Sequence, residues 1–290
     1  MPIGVRIIGI IIAVLAAAYG LYAGMGNSTG NFDGEMQIFA LDVGQGDSFF
    51  VISPNGKTML IDSGESSNSK QIEQFIREKG VRQLDVVIGS HTHSDHVGSM
   101  PYLLDAFDVG KYVMSEAGLE TRIQKRINAV LEEKDIPCSY VWAGDVIDWD
   151  SDCKVTVLSP VPEFDEYSKT DWNEWSLIIR AEYANHSMIF TGDATVRSEQ
   201  AAMLNNEKYL FDADVLKVPH HGSTTSSSLG FLEAVSPEYA IISVGKGNSY
   251  GHPDYDTIQK LKQVNAEIYR TDELGTINIV FSANDIKITY

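Results

Sequence analysis

Apolar and polar positions alternate along Met36–Val43, Ser48–Ser53 and Thr58–Ile61, with the turn Pro54-Asn55-Gly56 before the last of them. Successive side chains of a strand point to opposite faces, so this alternation predicts three strands joined by tight turns. A three-to-four spacing then takes over. Ile72, Phe75 and Ile76 share a face within Ser69–Lys79, as do Met100, Leu103, Leu104 and Phe107 within Gly98–Phe107. Ile123, Ile127, Val130 and Leu131 do so within Thr121–Lys134. That spacing predicts amphipathic helices. Short apolar runs at Val86–Ile88, Lys111–Met114, Val155–Leu158, Leu177–Ala181 and Met188–Thr191 predict buried strands, the last two joined across Asn185-His186, which leaves His186 exposed in a turn. Strands over Val215–Val218, Tyr239–Val244, Glu267–Tyr269, Thr276–Phe281 and Ile286–Tyr290 follow, with helices over Glu199–Leu204, Leu229–Ala234 and Tyr255–Val264. Hairpin-like groups of strands with helices between them point to an α/β layered body of two mixed sheets packed together with helices outside.

The first 33 residues follow a different pattern. No charge appears between Arg6 and Asp33, and Ile7 to Ala18 reads IIGIIIAVLAAA. Ala16 and Ala18 form an A-x-A cleavage pattern, while the uncharged stretch runs on through Ala23, close to the ~20 residues that span a bilayer. Residues 1–26 therefore read as a signal peptide or an N-terminal membrane anchor, 27–33 as a linker and 34–290 as one body. Cleaved and uncleaved forms are equally compatible with the pattern. A basic residue ahead of the apolar run places the body outside, secreted or anchored on the outer face of the cytoplasmic membrane. An oxidising compartment permits a disulfide between Cys138 and Cys153, beside the expected strands Ser139–Trp142 and Lys154–Leu158; two free thiols are the equal alternative.

Composition narrows the partners. With 43% hydrophobic and 21% charged residues the chain folds, and disorder is excluded. Acids outnumber bases 40 to 22, a net charge of −18, so the surface repels phosphate backbones at long range. An anionic substrate must be drawn in locally, by bound cations. No nucleotide cofactor is expected.

The stretch SHTHSDHVGS places His91, His93, Asp95 and His96 directly after a buried strand. Side chains two apart in extended chain point the same way, so His91 and His93 can grip one ion. Asp95 and His96, one short turn further on, can face a second. Imidazole and carboxylate donors suit zinc, manganese or iron. IFTGDAT puts Asp193 just past a strand, and LKVPHHGSTTS does the same for His220 and His221. Strand ends at one sheet edge converge, so these clusters are candidates for one site. In the second, the backbone N–H groups and the Ser223, Thr224 and Thr225 hydroxyls, ahead of a helix from about Ser228, form a candidate anion cradle. His252 is a candidate phosphate contact. Asp62, after a strand, is placed to orient a metal-ligating histidine, and Gln45 and Asp47 shape a Gly-rich turn that supports the site.

The order H-x-H-x-D-H, then Gly-Asp, then His resembles the metallo-β-lactamase fold family. LDVGQGDSFFV (41–51), LIDSG (60–64), KVPHHGSTTS (217–226) and YGHPDYDTIQKLKQVNAEIYRTDELGTI (250–277) look like its branch that holds the hydrolase domain of the competence protein ComEC and free-standing relatives. Phosphorylcholine esterases carry similar motifs. The resemblance covers about 34–290 and implies an αββα sandwich with two divalent ions, zinc or manganese. It implies His91 and His93 on the first ion, Asp95 and His96 on the second, Asp193 bridging, and His221 completing the second site. His220 is then left facing substrate, to protonate a leaving group or hold a phosphate oxygen, and Asp95 orients the attacking hydroxide. The family's further histidine for the first ion is missing, since no histidine lies between 97 and 185; Asn173 or Asp171 falls near its place. The implied activity is phosphodiester hydrolysis, by a nuclease or phosphodiesterase. The alternatives are an esterase acting on a phosphorylcholine-type cell-wall polymer and a non-catalytic metal-bound domain that binds DNA or wall polymer.

Overall fold

The structure, a computed structural model, describes residues 34–162 and 171–290. The expected signal peptide or anchor and the linker lie outside the described residues. Among the described residues no helix is long and apolar enough to cross a membrane.

The first half of the chain supplies β1 (Met36–Ala40), β2 (Phe49–Ile52), β3 (Thr58–Ile61), β4 (Gln83–Leu84), β5 (Val86–Gly89), β6 (Asp108–Val109), β7 (Tyr112–Met114) and β8 (Cys138–Tyr140). The second half supplies β9 (Cys153–Ser159), β10 (Ile178–Tyr183), β11 (His186–Phe190), β12 (Val215–Lys217), β13 (Tyr239–Ile242), β14 (Glu267–Arg270), β15 (Ile277–Phe281) and β16 (Ile286–Thr289). One sheet runs β16-β15-β1-β2-β3-β5-β7-β8 and the other β14-β13-β12-β11-β10-β9; β4 and β6 form a small parallel pair of their own.

The period-two pattern explains the layers. Met36, Ile38 and Ala40 of β1, Phe49 and Val51 of β2, and Met59 and Ile61 of β3 face the core shared with Val157, Ile179, Met188, Phe190 and Val215 of the second sheet. Their neighbours Phe39, Phe50 and Leu60 face the other way, onto the helices Ser69–Glu78, Met100–Ala106 and Arg122–Glu133. Across the molecule, Ile189, Leu216, Ala240 and Ile242 pack on the helices Leu229–Val235 and Tyr255–Gln263. The result is four layers, helix, sheet, sheet and helix, the α/β sandwich expected. The helix spacing marks real ends as well: Thr121 caps its helix by accepting a hydrogen bond from Gln124 N at 3.2 Å.

The helix expected within Gly98–Phe107 runs over Met100–Ala106, and a separate short helix, Ser94–Val97, holds Asp95 and His96. One expectation is corrected and one open alternative is decided. His186 opens β11 with both ring nitrogens buried and its ring 5.6 Å from that of Phe281, instead of standing exposed. Of the two alternatives left open for the cysteines, free thiols hold, since Cys138 and Cys153 begin strands at the edges of different sheets and are both free. Sequence nearness of two strands does not make them neighbours when the chain crosses between sheets. Cys138 is exposed, whereas burial, with Asp150 and Asp152 adding to it, pushes the Cys153 thiol up to about 12. A thiol reagent should therefore titrate one thiol quickly in the native protein and two after unfolding, with or without prior reduction. Two titratable thiols appearing only after reduction would restore the disulfide.

Candidate metal centre

The parallel strands carry the site at their carboxyl ends. Asp62 follows β3 and Ser90 follows β5, and the pairing of Ile61 with Ile88 sets them side by side. Ser90 donates from N and from Oγ to the two oxygens of Asp62, at 2.7 and 2.6 Å. In the other sheet Asp193 follows β11, His220 and His221 follow β12, and Ser243 follows β13. The two sets of ends meet. Ser243 Oγ donates to the carbonyl of Gly46 at 2.7 Å, and Gly46 lies so close to the Asp95 carbonyl that a Cβ there would stand 2.2 Å from it. Only glycine fits the turn between Gln45 and Asp47.

His91, His96, Asp193 and His221 are buried, and His93 and Asp95 are half-buried. His91 Nε2 lies 3.1 Å from His93 Nδ1, so this pair faces one point, as its spacing predicts. His96 Nε2 lies 3.0 Å from Asp193 Oδ1, and His221 Nε2 lies 3.6 Å from the same oxygen and 3.5 Å from Asp95 Oδ2. The other oxygen of Asp193 faces the opposite set, 4.0 Å from His91 Nε2 and 3.5 Å from His220 Nε2. Each oxygen of Asp193 thus belongs to a different cluster.

Asp95, His96, Asp193 and His221 each offer a donor atom within 4.8 Å of the others. His96 Nε2, His221 Nε2 and Asp193 Oδ1 are buried without an aligned hydrogen bond, although they nearly touch. Buried polar atoms are seldom left so. Three donors turned on one point, with the tautomer-setting Nδ1 atoms already engaged, fit a divalent cation. His96 Nδ1 contacts Asp62 Oδ2 at 2.8 Å, and His221 Nδ1 contacts the Ser243 carbonyl at 2.9 Å. A second group, Asp47, Asp62 and His96, has similar spacing. There the Lys217 ammonium, 2.5 Å from Asp47 Oδ2, already supplies the cation.

The electrostatics follow. Burial opposes charge on His96, but Asp193, Asp62 and Asp47 hold it well above the usual histidine range. Burial likewise works against protonation of His221, and Asp193, Asp47 and Asp95 raise it to about 9. Asp193 is driven up by burial and, more strongly, down by His96 and His221, ending well below the usual carboxylate range. His91 is pushed well below the usual range by burial, with the charge of His96 adding to it. Without a metal, protons on His96 and His221 balance the carboxylates, and a cation would take over that task.

His220 and His221 both adopt left-handed backbone, φ 50° and 53°, and Gly222 continues it at φ 85°. The turn sends His221 inward and His220 outward, where its Nδ1 meets Thr225 Oγ1 at 2.9 Å. His252 lies beside it, ring centroids 6.0 Å apart, with its Nδ1 3.2 Å from Asp254. Asp47 stands beneath both inner histidines, 3.7 Å from His96 Nδ1 and 3.4 Å from His221 Nδ1. The oxygen of the Asn173 side chain is buried without a hydrogen-bond partner. Its 3-10 turn ends at Ser176, whose Oγ accepts from Asp193 N at 3.1 Å.

The anion cradle is a correction. Ser227 N and Ser228 N donate to the buried carboxylate of Glu199, at 2.6 and 2.9 Å. Thr224 N faces Asp254, Thr225 N faces Ser223 Oγ, and Ser223 is buried. The chain's own groups consume these donors, and the Ser223 and Thr225 hydroxyls engage each other at 3.0 Å, which leaves the exposed Thr224 hydroxyl of the expected three.

Sequence reasoning missed Lys217. It is 1% exposed and spans Asp47 and the Gly192 carbonyl, 2.7 Å away, next to Asp193. A lysine closing an apolar strand just ahead of two histidines was the available signal.

The family model described as the Metallo-beta-lactamase superfamily matches residues 41–246. The chain is 34% identical over 260 residues to ComE operon protein 3 of Bacillus subtilis, covering 84% of this chain and 33% of that protein. It is 28% identical over 256 residues to competence protein ComA of Neisseria gonorrhoeae, covering 88% and 34%. It therefore spans about a third of the length of these relatives. Among solved structures, YhfI of Bacillus subtilis aligns with a TM-score of 0.55 at 13% identity, over 88% of this chain and 99% of that one. Igni18 of Ignicoccus hospitalis, a metallo hydrolase, aligns with a TM-score of 0.56 at 15% identity, over 85% and 100%. At such identities these two structures speak for the fold alone.

Two outcomes test the electrostatics. Lys217→Met should cost about 3–5 kcal/mol in urea unfolding, because it leaves the Asp47 carboxylate buried and unpaired; adding Asp47→Asn should recover much of that loss. Glu199 is raised to about 7 by burial, from an ordinary 4.5. The native state then holds this proton more tightly than the unfolded chain, so stability falls as pH rises from about 4.5 to about 7 and levels off above. The drop is on the order of 1–3 kcal/mol. Glu199→Gln should remove that part of the slope; an unchanged slope would count against it.

Proposed function

The chain belongs to the metallo-β-lactamase superfamily, and from that premise we propose an exported or membrane-anchored hydrolase that cuts phosphodiesters with two divalent ions, zinc or manganese. The observation that carries the reading is the division of Asp193, one oxygen turned to His96 and His221, the other to His91 and His220. His91 and His93 would hold the first ion, Asp95, His96 and His221 the second, and Asp193, with one oxygen toward each set, would serve both. The competence relatives favour nucleic acid over a wall polymer as the source of the phosphodiester.

A pair of bound divalent ions supplies Lewis acidity toward phosphoryl oxygens and makes water a stronger acid. The chain does the rest. Asp62 and the Ser243 carbonyl hold the Nδ1 protons of His96 and His221, which frees both Nε2 atoms for coordination. Asp95, at the open side of its cluster, orients the attacking water. Burial lowers the pKa of His220, so its ring is neutral at pH 7. With Nδ1 engaged by Thr225 Oγ1, Nε2, on the side of Asp193, is the nitrogen left to hold a phosphoryl oxygen.

The test is a panel of DNA, bis-p-nitrophenyl phosphate, p-nitrophenyl phosphorylcholine and a cephalosporin, offered to protein reloaded with Zn²⁺ or Mn²⁺. Turnover of the phosphodiesters is expected, and turnover of the cephalosporin alone would overturn the reading. Asp193→Asn should lower metal occupancy and abolish turnover with the fold intact by circular dichroism. His220→Ala should keep its metal while kcat falls by ~10²–10³. Loss of a metal from His220→Ala, with both kept in His221→Ala, would exchange the two roles.

A further inference from the structure

The loop from Gly245 to His252 holds an aromatic ring out in water by design of its backbone. Asn248 makes four hydrogen bonds to that backbone. Its Nδ2 donates to the carbonyls of Gly245 and His252 at 3.0 and 2.7 Å, and its Oδ1 accepts from Tyr250 N and His252 N, each at 3.1 Å. The base of the loop is docked on another: Gly245 N donates to Gln45 Oε1 at 3.2 Å, and a Cβ on Gly245 would stand 2.6 Å from Gln45 N. The ring so presented is Tyr250, 70% exposed. It stacks on His252 with centroids 5.8 Å apart and planes 13° from parallel. His252 is fixed in turn by Asp254 and faces His220, whose Nε2 is 3.5 Å from Asp193. Three rings thus lead from the metal centre to solvent. An isolated exposed tyrosine is unremarkable; one fixed at the end of this series is pre-organised for a ligand.

We propose that Tyr250 is the stacking platform for an unpaired nucleobase beside the phosphodiester held at the metal centre. This rests on the phosphodiesterase reading and narrows it to single-stranded nucleic acid. One flat, open face suits a planar base, for which stacking is independent of sequence. A quaternary ammonium such as choline is gripped instead by a cage of several rings. A base within a duplex already has both faces covered. Stacking also brings in a polyanion that the net charge of −18 would otherwise repel.

The experiment measures binding of a fluorescein-labelled, phosphorothioate-linked oligothymidylate to metal-loaded wild type, Tyr250→Ala and Tyr250→Phe by anisotropy. Tyr250→Ala should bind roughly 5- to 150-fold more weakly, the range of a lost base–aromatic stack. Tyr250→Phe should match wild type, and the duplex of the same sequence should bind wild type more weakly than the single strand. Equal binding by wild type and Tyr250→Ala, or no binding by wild type, overturns the inference. So does displacement of the oligonucleotide by millimolar phosphorylcholine from wild type but not from Tyr250→Ala. Hydrolysis of bis-p-nitrophenyl phosphate by the same wild-type sample keeps the two readings apart: its absence sinks the phosphodiesterase, while the binding series still decides the stacking site.

Discussion

Asp47, Asp62 and Asp193 are almost wholly buried, and with the half-buried Asp95 each stands within 3.7 Å of a ring nitrogen of His96 or His221. Isolated buried carboxylates cost several kcal/mol each, and like charges at this range make it worse. The fold therefore has to bring cations to them. It supplies one permanently, Lys217 on Asp47. His96 and His221 supply the rest as protons, or cede that task to divalent ions.

That demand explains why both sheets end where they do. The parallel register of β3 on β5 sets Asp62 against Ser90, and so determines which way His96 points. The parallel run β11, β12, β13 delivers Asp193, His221 and Ser243 in neighbouring loops. Lys217 then locks the two sheets at their seam, since it reaches Asp47 from one and Gly192 in the other. A shift of one residue in either register would turn these side chains into the apolar layers.

Much of this is legible in the sequence because it is local. Strand alternation at Met36, Ile38 and Ala40 reports which face is buried, and the spacing of His91 and His93 reports that they share a direction. The gathering of Asp193 and His221 with the first cluster was readable as convergence of strand ends. What escaped depends on partners far apart in the chain. Lys217 looks like a strand residue until Asp47, 170 positions earlier, is brought against it. The hydroxyl-rich run Ser223–Thr225 looks like an anion site until the buried Glu199 arrives to take the amides of Ser227 and Ser228. Cys138 and Cys153 look adjacent because the pattern of strands does not say which sheet each joins.

The two consecutive histidines show how strain and chemistry combine. In ordinary extended backbone adjacent side chains diverge, but they also spread along the strand. At His220 and His221 the chain curls left-handed instead, at a cost of roughly 1–2 kcal/mol per residue. The curl keeps both rings against Asp193, one on each of its oxygens. Gly222 extends the turn where any Cβ would meet Pro253 at 2.6 Å, which presses the curl against the segment that carries His252. The same bend that completes the inner cluster therefore places His220 beside His252, and the loop that holds Tyr250 follows from it. Backbone strain at one point thereby links the inner ligand cluster to the surface loop that carries Tyr250.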